Sequence, residues 1–197
     1  MKSLQSLTAA ALLLASSLSA AVELSILPDA VSVERGDNTS VDLEVSGLGE
    51  FSAPPSLGAF LVEITFDDAI LDFVSVAYGN LLGDPGDPFE TDIVTTTDVG
   101  SVGLDLFSVL LDFELDALQP ASFTLATLTF RGQSVGTSAL AFGAIDLADA
   151  VGNTLTPTAL NGGSFQVTPT VGISEPPTAA LILLPFALLF ARRARRR

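Results

Sequence analysis

Histidine, cysteine and tryptophan are absent from the 197-residue chain, and tyrosine and methionine occur once each. These absences remove whole classes of chemistry. A Ser-His-Asp triad, a cysteine nucleophile and a zinc site built from His or Cys all need side chains that this sequence does not have. Lysine occurs only at position 2, which leaves the rest of the chain without a Schiff-base amine. Carboxylate chemistry remains, as in glycoside hydrolysis, where two acids flank the scissile bond. With 23 Asp and Glu in the chain a pair at suitable spacing arises by chance, so no pair is singled out. The missing cysteines also mean that no disulfide braces the fold, which must rest on its apolar core.

Positive charge is the next scarcity, and its location is informative. Of eight Lys and Arg, six sit at the two ends: Lys2, Arg192, Arg193, Arg195, Arg196 and Arg197. Between them, Val22 to Ser174 holds 22 acids against only Arg35 and Arg131, a net charge of −20 (2 − 22). A phosphate backbone needs a basic face, so nucleic acid is excluded as a partner. Such acidity keeps a protein soluble in a salty medium, where screening limits self-repulsion. It also favours cations or a basic partner surface.

Long hydrophobic runs occur only at the ends. Lys2 precedes an apolar stretch from Leu7 to Leu18, and Ser19-Ala20-Ala21 supplies the small residues that a signal peptidase requires, so cleavage is expected after Ala21. Near the C-terminus the run from Thr178 to Ala191 has fourteen residues. At about 1.5 Å per residue that is roughly 20 Å of helix, against a hydrocarbon core of about 30 Å. Arginine snorkelling closes part of the gap, while Pro185 removes a backbone hydrogen bond in mid-segment. The apolar side chains cover every helical face, unlike the single stripe of a soluble core helix. The run is therefore a short, weak span. The arginines behind it resist translocation and hold the C-terminus on the cytoplasmic side, with the rest of the chain outside.

Ser174-Glu175-Pro176-Pro177, the short apolar run and the arginine cluster, in that order, resemble the bacterial PEP-CTERM sorting signal, with Ser174 where that motif has its first proline. The resemblance implies that an exosortase-type enzyme recognises Glu175, Pro176 and Pro177 and removes the tail after transient anchoring in the inner membrane. A eukaryotic lipid-anchor signal has a similar spacer and tail but does not normally end in five arginines. The expected organisation is a signal peptide at 1–21, one domain at 22–167, a linker at 168–174 and a sorting signal at 175–197.

Alternation with period two dominates the domain. Val22, Leu24 and Ile26 alternate with polar or small neighbours, and Val41, Leu43 and Val45 alternate with Asp42 and Glu44. The clearest strand places Phe60, Val62, Ile64 and Phe66 on one face. Leu71 to Tyr78, Val99 to Phe107, Phe123 to Phe130, Ser138 to Phe142 and Ser164 to Val167 extend the series. Between them stand turn signals: Arg35-Gly36-Asp37-Asn38, Asp67-Asp68, the stretch from Gly83 to Pro88, Gly132, Gly152-Asn153 and Asn161-Gly162-Gly163. Many short strands with Gly and Asp turns predict an all-β antiparallel sandwich or barrel. Val109 to Leu118 suits either a strand or one short helix.

The order of these pieces resembles the cohesin-like domains of exported bacterial proteins. The match rests on Val33-Glu34-Arg35-Gly36-Asp37 and on Leu57-Gly58-Ala59-Phe60 leading to Ile64-Thr65-Phe66-Asp67 and Ala69-Ile70-Leu71-Asp72-Phe73. It continues through Phe123 to Phe130, Gly136-Thr137-Ser138 and the stretch from Leu147 to Leu155. The resemblance implies a jelly roll of about nine strands and relatives that bind calcium-bearing dockerin modules or accompany carbohydrate-binding modules. It transfers no binding residue.

Two acidic clusters are candidate calcium sites. The loop residues Asp84, Asp87, Glu90 and Asp92 form one, and Asp146, Asp149 and Asn153 the other. Calcium takes six to eight oxygens without strict geometry, but neither cluster has EF-hand spacing, and solvated turn acids account for both. No cofactor other than calcium is indicated. Tyr78 ends a strand, where it can stack on a sugar or pack with its hydroxyl at the surface. Asn38-Thr39-Ser40 is a chance glycosylation sequon.

The expected function is that of an exported, non-enzymatic binding or structural module. It is delivered to the cell envelope, cell surface or extracellular matrix and engages exopolysaccharide or a surface protein there. Signal peptidase and the exosortase are its processing partners. The alternatives are a carbohydrate-active enzyme with two acids about 5–9.5 Å apart in a deep cleft, and a calcium-dependent adhesion module. The processed protein should begin near Val22 and end near Glu175, and mass spectrometry of the host's fractions reads this directly. An intact Arg197 terminus in the membrane fraction would contradict the sorting signal.

Overall fold

The computed structural model describes residues 22–49 and 56–170. The expected signal peptide with Ala21, the motif Glu175-Pro176-Pro177, the apolar tail and the cluster Arg192, Arg193, Arg195, Arg196 and Arg197 lie outside the described residues.

The chain runs through β1 (Glu23–Pro28), β2 (Ser32–Glu34), β3 (Asn38–Ser46), β4 (Leu57–Thr65), β5 (Leu71–Tyr78), β6 (Thr91–Asp98) and β7 (Ser101–Ser108). After α1 (Asp112–Leu118) follow β8 (Ser122–Gly132), β9 (Gly136–Asp149), β10 (Thr154–Leu155), β11 (Ala159–Asn161) and β12 (Gly163–Thr168). β2, β10 and β11 have three residues or fewer, which leaves nine strands of six or more (12 − 3) and matches the nine expected. They form a five-stranded sheet in the order β11-β1-β3-β8-β5 and a second in the order β2-β12-β9-β4-β7-β6, with β10 paired to β9. Only the steps β6 to β7 and β9 to β10 stay within one sheet, so the chain crosses the sandwich at nearly every connection.

The alternating positions decide which faces meet. Leu24, Ile26, Val41, Leu43, Val45, Leu128 and Phe130 from the first sheet face Phe60, Val62, Ile64, Leu104, Leu106, Leu140 and Phe165 from the second, all buried. Removing one such side chain from water contributes about 1.5–3 kcal/mol. Phe130 is central: Phe66 and Phe73 meet its ring edge-on, at centroid distances of 5.1 and 5.8 Å.

Three irregularities keep this layer apolar where strict alternation would not. In β8, Leu43 pairs with Ala126 and Glu44 with Thr124, so Leu125 is an extra residue and both Leu125 and Ala126 turn inward. A second bulge lies between Phe73 and Ser75 of β5. In β9, Gly143 and Ala144 together oppose Glu63.

Several expectations need correction. Val99 and Gly100 are not in a strand: they form the two-residue turn of the β6–β7 hairpin, and Gly100 takes a φ of 75°, which glycine adopts without strain. Strand β6 itself was not expected, because its Thr-rich outer half has little apolar alternation. Phe66 lies just past the end of β4 but still packs on the core. The segment Ser138 to Phe142 is the start of a much longer β9. Within Val109 to Leu118, the residues Asp112–Leu118 form the helix α1, opened by Glu114, whose Oε2 accepts the Leu111 N–H at 3.0 Å.

Replacing Phe130 by Ala should cost about 3–5 kcal/mol, because the cavity would lie under two other rings. Urea unfolding measures this, and a loss below about 1 kcal/mol would mean that the two sheets pack more loosely than their geometry indicates.

Candidate functional site

The outward positions of β9, β4, β7 and β6 form one surface, and strand register arranges them in rows. Ala148, Ala59, Phe107 and Asp92 make one row, and Asp146, Leu61, Asp105 and Val94 the next. The β9 bulge, Glu63, Gly103 and Thr96 follow, and then Ala141, Thr65, Ser101 and Asp98. Three large apolar side chains stand exposed in the first two rows: Leu61 at 40 %, Val94 at 51 % and Phe107 at 57 %. Around them lie the carboxylates of Glu63, Asp92, Asp98, Asp105 and Asp146, and no cation shares the face. A shallow groove of about 210 Å³ runs between Leu61, Glu63, Val94 and Thr96 over Gly103. A Cβ at Gly103 would approach Thr96 Oγ1 to 2.5 Å, so glycine keeps the groove floor low.

The apolar character continues past the end of β7. Val109, Leu111, Phe113 and Phe89 are all exposed there, Phe89 at 85 %. The Val109 N–H donates to Glu90 O at 2.8 Å, which brings this segment beside Phe89. Large exposed apolar side chains collected in one region mark an interaction surface more often than they mark chance.

The face is rigidly backed. Gln119, just after α1, donates from Nε2 to the carbonyls of Leu57 (2.7 Å) and Leu81 (3.1 Å), and its Oε1 accepts the Leu57 N–H at 2.8 Å. One amide thus ties the start of β4 to the loop after β5 and to the helix. Ser56 Oγ adds a hydrogen bond to Asp116, and Leu115 buries the inner side of α1. At the opposite edge the Tyr78 hydroxyl meets Thr95 Oγ1 at 2.7 Å, joining the outer strands of the two sheets. Burial raises the Tyr78 pKa, the Thr95 hydrogen bond opposes that, and the nearby charge of Asp105 adds to it. With its ring packed on the core beside Phe60, Tyr78 works as a clasp and does not offer a free stacking face.

Of the calcium candidates, Asp84, Asp87 and Glu90 share one loop and Asp149 meets Asn153, while Asp92 and Asp146 lie apart on the sheet. Asp84 Oδ1 accepts the Gly86 N–H, Asp87 Oδ1 accepts the Phe89 N–H, and Glu90 Oε2 accepts the Asp84 N–H, at 2.8, 2.9 and 2.9 Å. Their carboxylates cap the backbone of their own loop. Asp92 is not on that loop at all: it belongs to β6 and faces outward in the apolar row of Phe107. Asp146 and Asp149 sit on opposite faces of β9, the first exposed and the second buried. Among the described residues no group of three or more Asp and Glu is close enough to hold a metal ion.

Asp149 and Asn153 do meet, as a turn lock. Asp149 is only 5 % exposed, and burial alone would raise its pKa. Hydrogen bonds from the Asn153 side chain (2.9 Å) and from the backbone N–H groups of Asn153 (2.7 Å) and Val151 (3.0 Å) outweigh burial. With a further contribution from the Gly152 N–H they hold the carboxyl below the usual range.

Leu61, Val94 and Phe107 were not singled out from sequence, yet two of them carried a signal. Leu61 interrupts the alternation of Phe60, Val62 and Ile64, and Phe107 follows the inward Leu104 and Leu106 out of phase. Each is an apolar residue on the wrong face of an otherwise regular strand.

With this geometry in hand, solved structures give the fold a relative. The fold is that of cohesin domains. A type II cohesin from the cellulosome of Acetivibrio cellulolyticus superposes with a TM-score of 0.61 at 15 % identity, over 74 % of this chain and 95 % of that one. A type I cohesin solved in complex with a dockerin, from Clostridium thermocellum, gives 0.57 at 17 % identity, over 76 % and 94 %. A non-cellulosomal cohesin from the archaeon Archaeoglobus fulgidus gives 0.55 at 13 %, over 74 % and 91 %. No protein-family model matches the sequence, and no curated protein matches it. The shared property is backbone geometry, and the cohesin-like sandwich expected from residue order is what the chain forms.

Replacing Asp149 by Asn removes one acceptor from a set of buried donors and should cost about 1–3 kcal/mol. A depressed folded-state pKa stabilises above the unfolded value, about 3.9, and that stabilisation is lost as pH falls through the folded value. Urea midpoints of the wild type should therefore drop below about pH 4 more steeply than those of Asp149→Asn. Identical stability and identical pH dependence would remove the lock.

Proposed function

We propose that this protein is an exported, non-catalytic binding module that engages a partner protein through the outer face of the β9-β4-β7-β6 sheet. The carrying observation is that Leu61, Val94 and Phe107 stand exposed on a rigid surface whose charged residues are all acidic. A matching partner has apolar anchors for these three side chains and a rim of Lys or Arg. The acids steer such a partner and reject acidic ones, while the apolar contacts set the lifetime of the complex.

One of the cohesins above was solved with a dockerin bound, and binding of a folded protein partner by this chain is the analogous reading. The ends of the sequence supply the address. In this proposal a signal peptide at 1–21 is removed after Ala21, the domain at 22–167 folds outside the membrane, and the linker 168–174 leads to the tail at 175–197. The exosortase-type motif at Glu175, Pro176 and Pro177 and the arginines from Arg192 onward hold the chain briefly in the inner membrane before release to the cell surface or matrix. A domain without cysteine suits that route, because it folds without a redox partner.

The test uses the full-length chain as bait against the host's envelope and extracellular fractions, beside a variant carrying Leu61→Asp and Phe107→Asp. Both side chains are exposed, so the variant should melt within a few degrees of the wild type. Its capture of the principal partner should fall about tenfold or more. Equal capture by both proteins would show that recognition lies elsewhere.

A further inference from the structure

The only two cations among the described residues, Arg35 and Arg131, line the same cleft. Arg35 lies in the turn between β2 and β3, and Arg131 stands on β8, cross-strand from Asp72 of β5 and Asn38 of β3. The cleft measures about 360 Å³ and is completed by Gly36, Gly132 and Gln133. A domain with so large an excess of acid has thus brought all its positive charge to one place. Neither guanidinium is spent. Arg35 donates Nε–H to Gln133 O at 2.9 Å, and Arg131 donates one bond to Asp72 Oδ2 at 3.0 Å. A guanidinium has five N–H donors, so most remain open to a ligand.

A second cavity of about 380 Å³ adjoins the first, between the start of β5 and the β6–β7 turn. The two share Gln133, and the Asp72–Arg131 ion pair stands at their junction. Its character is different: half-buried Phe66 and Phe73 contribute apolar surface, and Asp98, Thr97 and Ser101 present acceptors and hydroxyls. Both are open, shallow depressions, a shape suited to a chain lying along the surface.

We propose that the two cavities form one groove for an acidic heteropolysaccharide in which a charged sugar neighbours an uncharged one. The guanidinium forks of Arg35 and Arg131 match a sugar carboxylate in the first cavity. The uncharged sugar occupies the second, with its C–H face against Phe66 and Phe73 and its hydroxyls donating to Asp98 and to the Gln133 amide oxygen. A uronate in that second cavity would face Asp68, Asp72 and Asp98, so a polymer charged at every sugar fits less well than an alternating one. Acids farther than about 8 Å from the cleft are screened at physiological salt, whereas Asp72 beside it already pairs with Arg131, so Arg35 carries the larger share of the attraction. This groove meets the protein-docking face at one edge, where Asp98 and Ser101 line both, while Arg35 and Arg131 belong to the groove alone and Leu61 and Phe107 to the docking face alone.

The experiment titrates the full-length chain calorimetrically with hyaluronan oligosaccharides, which alternate glucuronate and N-acetylglucosamine. Matched oligogalacturonate, neutral chito-oligosaccharide and polyglutamate serve as competitors of different design. Hyaluronan should bind more tightly than all three. Arg35→Gln and Arg131→Gln should each weaken it about tenfold, and the Lys replacements should restore only part, because an ammonium lacks the fork. Arg35→Gln leaves the Asp72 ion pair intact but removes the bond to Gln133 O, so its melting temperature is measured beside its affinity and should stay within a few degrees of the wild type. The Leu61→Asp, Phe107→Asp variant should bind the sugar normally, which separates failure here from failure of the docking face. No binding of hyaluronan, unchanged binding by the double Gln variant, or equal binding of oligogalacturonate or the neutral oligomer would overturn the proposal. Equal binding of polyglutamate would overturn it in favour of an acidic protein ligand.

Discussion

In a chain without cysteine, the layer of aliphatic and phenyl side chains between the two sheets is what keeps twelve strands together. Hydrogen bonds within a sheet hold neighbours side by side, and this layer, helped at the edge by the Tyr78–Thr95 hydrogen bond, holds one sheet to the other. The chain crosses between sheets at almost every turn, so each crossing depends on it as well. The bulges in β8, β5 and β9 serve the same end: each absorbs one residue and restores the inward phase of the apolar positions. Any strand that slipped by one residue would send its Leu and Val to water and its Asp and Thr to the core.

That constraint frees the outer surfaces. Positions facing away from the layer need only be compatible with a strand, and most are Thr, Ser, Asp or Ala. Departures from this pattern are therefore informative. Leu61, Val94 and Phe107 contribute nothing to the sandwich interior and expose apolar area on a rigid sheet. Arg35 and Arg131 break the acidic monotony in one spot. The two features lie on neighbouring surfaces that share only the edge residues Asp98 and Ser101.

The acids have a double role. Outward strand acids such as Asp92 and Asp146 are spread over the surface by the geometry of the pleat, which separates alternate residues to opposite faces. Turn acids such as Asp84, Asp87 and Asp149 are drawn inward to cap their own backbone N–H groups. Both outcomes work against metal clustering. A run of acids close in sequence is split when a strand sends its members to opposite faces, as with Asp146 and Asp149.

Much of this was written in the residue order. The alternation of Phe60, Val62 and Ile64 and of Val41, Leu43 and Val45 determined that these segments are strands and which side is buried, because period two matches the pleat and nothing else. The lack of His and Cys determined what chemistry is closed to the chain, since no fold can supply missing atoms. The tertiary structure alone decided the rest. It placed β6 beside β7, made Asp112–Leu118 a helix anchored by Leu115, and carried Asp92 from a presumed loop onto a sheet face. It also brought Arg35 and Arg131, 96 positions apart (131 − 35), into one cleft. Such contacts depend on strand order and register, which arise from the simultaneous packing of two whole sheets and leave no trace in any local stretch of sequence.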